Sequence, residues 1–171
     1  MPRARINPLV ETLSAPPIPE VQAWKHDYDG RLGPLLDLSQ AVPGYPPHAD
    51  MLRWLGEAAG SVAMAGYGDI EGEPELRGAY ATWVSTIYAA EIKPSNVHVT
   101  SGCNQAFMAA MMAIAGPGDR VLLTNPCYFN HETTLKMSGV GVDYVDCRAE
   151  DGFLPTTAAV EAMIAEDVRA L

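Results

Sequence analysis

The sequence predicts an α/β protein, a three-layer αβα arrangement around a mostly parallel sheet, preceded by an extended N-terminal arm and helices. Three observations predict it. From Asn96 onward, short β-branched apolar runs alternate with helix-period segments, a pattern that calls for parallel strands joined by right-handed crossovers. One such run, Val97-His98-Val99-Thr100, feeds a Ser101-Gly102 turn that opens a helix rich in Ala and Met. Residues 1–47 are rich in Pro and Gly, with apolar residues scattered rather than periodic.

In chain order, residues 1–47 read as an extended arm or small-domain segment that wraps a scaffold or a partner. The start, Met1-Pro2-Arg3-Ala4-Arg5, leads into no uninterrupted apolar run and is not a secretory signal. Residues 48–95 read as helices. Asp50 caps one that runs to about Met64 on a stripe of Met51, Leu52, Leu55 and Ala58-Ala59, and Gly66-Tyr67-Gly68-Asp69 breaks it. A second starts near Glu73-Pro74, with Leu76, Tyr80, Trp83-Val84 and Ile87 on one face, and closes by Lys93-Pro94-Ser95.

Residues 96–171 carry the alternation. Strand Val97–Thr100 leads to helix Asn104–Ala115, turn Gly116-Pro117-Gly118-Asp119 and strand Arg120–Thr124. A helix over Asn130–Met137, strand Val142–Cys147, a helix over Thr156–Glu166 and the opening of a fourth strand at Val168 follow. That strand breaks off as it begins, so the expectation is the front portion of a longer protein.

Composition narrows the function. With 171 residues and 48% hydrophobic content the chain can bury a core, and its formal net charge of −10 argues against nucleic acid or an anionic membrane surface as partner. Ala106–Ala115 is the longest apolar stretch; it falls short of the roughly 20 residues a bilayer needs and reads as a buried helix. Cys103, Cys127 and Cys147 are odd in number and lack metal-ligand spacing, which favours a reducing compartment, the cytoplasm. His98, His131 and Glu132 are not spaced as a metal set and read as structural or solvated, so no metal is expected.

The Ser101-Gly102-Cys103-Asn104 turn is the candidate site. The first N–H groups of a helix lack internal partners and sit at the positive end of its dipole, so a phosphate docks there without a lysine, and a glycine admits close approach. An ordinary βα turn has the same sequence pattern.

Several segments in order resemble the fold-type I, pyridoxal-phosphate-dependent aminotransferases of class I and II. They are Leu38-Ser39-Gln40-Ala41-Val42-Pro43-Gly44-Tyr45, Tyr67-Gly68-Asp69-Ile70-Glu71-Gly72-Glu73-Pro74-Glu75-Leu76-Arg77, Thr100-Ser101-Gly102-Cys103-Asn104-Gln105-Ala106-Phe107, Gly116-Pro117-Gly118-Asp119 and Asn125-Pro126-Cys127-Tyr128-Phe129. The resemblance implies that residues 48–95 are interface helices and 96–171 the first half of a cofactor-binding large domain. It implies amino-group transfer from an amino acid to a 2-oxo acid, with pyridoxal 5'-phosphate as cofactor, in a homodimer with a shared active site.

By the same resemblance, Gly102, Cys103 and Asn104 hold the cofactor phosphate, Tyr128 stacks on the pyridine ring, and Tyr67 reaches the phosphate of a neighbouring subunit. Ala41 and Val42 approach the substrate carboxylate, although Ala41 stands where many relatives carry glycine. Gly72 and Arg77 look structural. Lys25, Lys93 and Lys136 match none of the family's lysine contexts, so the Schiff-base lysine is absent, no catalytic residue is assigned, and the chain alone is expected to be inactive. Asp143 and Asp146 likewise read as structural. The competing reading is a non-catalytic α/β module that binds a nucleotide or another phosphate-bearing cofactor. It lacks both a dinucleotide glycine fingerprint and a phosphate-loop lysine.

Overall fold

The computed structural model describes residues 5–171, so the first four residues of the charged N-terminal start lie outside the described residues. The described residues divide into two compact units, one formed by residues 5–16 and 100–171 and the other by 17–99.

The first unit is built on three parallel strands, β1 (Arg120–Asn125), β2 (Gly141–Asp146) and β3 (Val168–Ala170), in the order β2-β1-β3. β1 pairs with β2 in continuous register from Arg120 opposite Gly141 to Asn125 opposite Asp146. The central strand is buried on both faces: Val121, Leu122 and Leu123 are successive residues whose side chains alternate sides, and all are buried. On one face Val121 and Leu123 meet Leu135 and Val140, with Phe107, Met111, Ala115, Cys127 and Tyr144 packed around them. Apart from Tyr144 of β2, those partners come from α5 (Cys103–Ile114), α6 (Phe129–Met137) and the segments beside them. A short α1 (Pro8–Glu11), capped by the Asn7 side chain on Leu9 N–H, contacts α6. Between β2 and β3 runs α7 (Thr157–Glu161).

Polar clasps set the strand ends. Arg120 donates from Nε to Asp143 Oδ2 at 2.6 Å and from Nη2 to Oδ1, and Asn125 Nδ2 donates to Asp146 at 2.9 Å, so both acidic residues of β2 hold β1, as the sequence suggested. In the Gly116–Asp119 turn, Asp119 accepts from Gly116 N–H at 2.9 Å and from Arg169 Nε of β3 at 2.8 Å. These contacts, the amide first, hold its carboxyl below the usual carboxylate range.

The second unit is helical: α2 (Ile18–Asp27), α3 (Ala49–Ala59) and α4 (Pro74–Tyr88). Arg77 on α4 donates to the carbonyls of Pro94 (2.9 Å from Nη2) and Val97 (3.0 Å from Nε), tying the helix to the extended segment after it. Gly72 has φ +101°, a region that L-residues avoid, and an added Cβ would lie 2.7 Å from Val99 Cβ. The close approach serves a hydrogen bond from Val99 N–H to Glu71 carbonyl at 2.8 Å.

Several expectations are corrected. Val97–Thr100 is extended but not a strand, because among the described residues its one ladder-like bond is that to Glu71. The run at Val168 forms the three-residue strand β3, which pairs with β1. The proline-rich first segment contains α2, whose Pro17 and Pro19 at the start, Glu20 in the first turn and Lys25-His26 in the last suit a helix dipole. His48 rather than Asp50 caps α3, which ends at Gly60 before a separate 3-10 turn at Val62–Met64. The last helix is shorter than the expected Thr156–Glu166. The apolar helix α5 buries one stripe only; Met108, Met112 and Ile114 on its other side are exposed.

Gly72→Ala is expected to cost about 2–4 kcal/mol, the sum of a disfavoured φ and a clash with Val99, read as a lowered midpoint in urea unfolding. Because Asp119 ionises more readily folded than unfolded, its stabilisation is present at neutral pH and is lost as pH falls through the ordinary carboxylate range toward its lowered folded value. Asp119→Asn keeps an acceptor for Gly116 but removes the titration. Between pH 7 and pH 3 it should lose less stability than the native chain does.

Candidate functional site

Thr100 and Ser101 lead from extended backbone into α5 through Gly102, which sits at φ +86° and ψ 168°. An added Cβ there would meet nothing within 4 Å, so the requirement for glycine is torsional and not one of space. Thr100 Oγ1 donates to Gly102 carbonyl at 3.0 Å, and Ser101 N–H donates to Gln105 Oε1 at 2.5 Å, which closes the turn.

The Gly102 N–H is not free, contrary to expectation, because it donates to Thr100 carbonyl at 2.8 Å. Among the described residues the N–H groups of Cys103, Asn104 and Gln105 have no hydrogen-bond partner, and all three residues are exposed. They open a helix of 12 residues, so three donors converge where its dipole is positive. The donor set therefore lies one position further along the chain than the sequence placed it.

Tyr128 lies in the loop after the carboxyl end of β1 and forms the N-cap of α6. The peptide between Asn125 and Pro126 in that loop is cis. The Tyr128 ring is half exposed, with its hydroxyl accepting from Asn130 Nδ2 at 2.6 Å. The rings of Phe129 (5.2 Å, 63°) and His131 (5.3 Å, 81°) meet it in T-shaped contacts. His131, read as structural or solvated, stacks on Phe107 of α5 at 4.0 Å and 16°. The sequence carried no pattern for that pair, since its members lie in different βα units.

Behind Tyr128, burial pushes the Cys127 thiol up, and burial together with Glu132 pushes Tyr144 up to about 12. Lys136 in turn keeps Glu132 below the carboxylate range. Glu132 thus ties α6 to Tyr144 of β2 while its charge is met by Lys136, a brace between helix and strand rather than a reactive set.

Tyr67, Ala41 and Val42 belong to the other unit. Tyr67 is fully exposed and does not pack on α4, the alternative fate of such a turn tyrosine. The Val42 N–H donates to Gln40 carbonyl at 2.9 Å, while the Ala41 N–H has no partner among the described residues. Each lysine is ion-paired: Lys25 with Asp37 at 2.7 Å, Lys93 with Glu91 at 3.4 Å, and Lys136 with Glu132. Asp37 is held well below the usual carboxylate range, by the Lys25 ammonium first and Ser39 second.

Residues 34–170 match the family described as aminotransferase class I and II. The chain is 30% identical over 131 residues to an aromatic aminotransferase of Arabidopsis thaliana, covering 77% of this chain and 33% of that protein. It is also 30% identical over 105 residues to an aspartate aminotransferase of Thermotoga maritima, covering 61% of this chain and 28% of that one. Among solved structures, an aminotransferase from Mycobacterium tuberculosis superposes with a TM-score of 0.80 at 25% identity, over 97% of this chain and 42% of that chain. The Thermotoga maritima aspartate aminotransferase gives 0.79 at 24% identity, over 95% and 43%, a likeness of fold. The chain thus spans between a quarter and a half of the length of these proteins.

Proposed function

Because the chain belongs to the class I and II aminotransferase family, we propose that it contributes the phosphate-binding and ring-covering half of a pyridoxal 5'-phosphate site for amino-group transfer between an amino acid and a 2-oxo acid. The observation that carries the reading is the set of free, exposed amides of Cys103, Asn104 and Gln105 at the start of α5 in the same compact unit as the half-exposed ring of Tyr128. The residues fit the cofactor's phosphate and the flat face of its ring; they do not supply a lysine for its aldehyde.

When bound, pyridoxal phosphate supplies the electron sink for amino-group chemistry. The chain's own part is binding and orientation. Three amides converge on the phosphate with no countercharged side chain, which suits a protein of net charge −10. Tyr128 limits tilt of the heterocycle and excludes water from one face, and the hydrogen bond from Asn130 leaves its hydroxyl engaged. Gly102 sets the direction in which the amides point.

Tyr67, exposed with no contact of its own, is available to the phosphate of a second subunit, which supports a homodimer with a shared site. The Ala41 amide is the remaining donor in the first segment for a substrate carboxylate. Three free cysteines support a reducing, cytoplasmic setting, and among the described residues no helix is long and apolar enough to cross a membrane.

Titration of the chain with pyridoxal 5'-phosphate, followed by calorimetry, tests the reading. Cys103→Pro removes one donor at a helical position that tolerates proline, after a glycine whose ψ of 168° accepts one, so helix content should hold while affinity falls about tenfold. Tyr128→Ala should weaken binding by about three- to tenfold. Borohydride reduction should fix no label to Lys25, Lys93 or Lys136. Affinity unchanged in both variants, or a labelled lysine together with amino-group transfer, would overturn this assignment.

A further inference from the structure

α5 and α6 meet near their starts through one directional contact. The Phe107 ring lies 4.0 Å from that of His131 and nearly parallel to it, and both are partly buried. Phe107 stands one turn after the free amides of Cys103–Gln105, so it moves with them as part of the same helix. His131 stands three residues after Tyr128, donates its backbone N–H to the Tyr128 carbonyl at 3.0 Å, and meets the tyrosine ring edge-on at 5.3 Å. The contact therefore links the donor set on one helix to the aromatic face beside the other.

We propose that Phe107 and His131 are positioning residues whose stack fixes the spacing between the amides of Cys103–Gln105 and the ring of Tyr128. The proposal rests on the reading above, that both ends serve one ligand. Against β1 the two helices pack largely through aliphatic side chains, Met111 and Ala115 beside α5 and Leu135 on α6 around Leu123, while the Glu132–Tyr144 contact holds α6 to β2 and not to α5. Such aliphatic packing is non-directional and resists separation more than sliding. Stacked rings, by contrast, have a preferred offset and orientation, so a slip of α6 along α5 costs energy. A ligand whose anionic end and flat end are joined by a short rigid frame is sensitive to that slip, since sub-ångström placement decides whether both ends engage together.

Two probes separate positioning from general stability. Inorganic phosphate engages the amides alone and is read from the backbone amide NMR shifts of Cys103, Asn104 and Gln105. Pyridoxal 5'-phosphate engages amides and ring together and is read by calorimetry and by the circular dichroism it acquires when bound. His131→Ala is expected to leave inorganic phosphate binding unchanged, to weaken pyridoxal phosphate by about three- to tenfold and to diminish the induced dichroism, while His131→Phe, which keeps a flat ring, restores both. Equal loss for both probes, or no loss for pyridoxal phosphate, overturns the proposal. If His131→Ala does not fold, Phe107→Leu, which keeps apolar volume against β1 but removes the ring, carries the same comparison. Failure of the cofactor reading itself shows in the native chain, as pyridoxal phosphate binding no tighter than inorganic phosphate.

Discussion

Burial of β1 on both faces is the constraint on which the first unit depends. Val121, Leu122 and Leu123 are adjacent in sequence, so covering all of them requires packing on opposite sides of one strand. The helices on the Val121 and Leu123 side, α5 and α6, are the ones whose starts carry the free amides and Tyr128. Site and core are thus two ends of the same elements. A change that thins the core at Leu135 or Val140 acts on the site through α6 without touching it.

Polar groups in this unit are arranged around that core rather than within it. Arg120 with Asp143, Asn125 with Asp146, and Arg169 with Asp119 lie at the ends or faces of the strands, and no polar or charged residue is buried among the described residues. Exposed pairs of this kind contribute little each, and their value is in register: they oppose a slip that would turn every β1 side chain to the wrong face. The unusual polar feature is the set of unpaired amides at the start of α5, which is affordable because water reaches them.

Much of this was legible in the sequence. Periodicity located α4, α5, β1, α6 and β2 to within a residue or two, because in each the apolar pattern and the flanking Pro or Gly agree. It misjudged places where local and tertiary signals part. Val97–Thr100 has strand composition, but a strand needs a ladder partner, and composition does not supply one. α2 was hidden by prolines that in fact stand in its first turn. At the site, the Ser-Gly turn and Tyr128 could be read from order and spacing alone. The engaged amide of Gly102 and the meeting of Phe107 with His131 could not, since both depend on backbone torsion and helix placement that side-chain identity leaves open.

Gly72 and Gly102 share a positive φ yet differ in kind. At Gly72 part of the penalty for a side chain is a collision with Val99, so a second substitution that shrinks residue 99 relieves some of it. At Gly102 the space is open and the whole penalty lies in the main chain's own handedness. No replacement of a neighbour can compensate for it, and position 102 is therefore one where suppressor mutations should not arise.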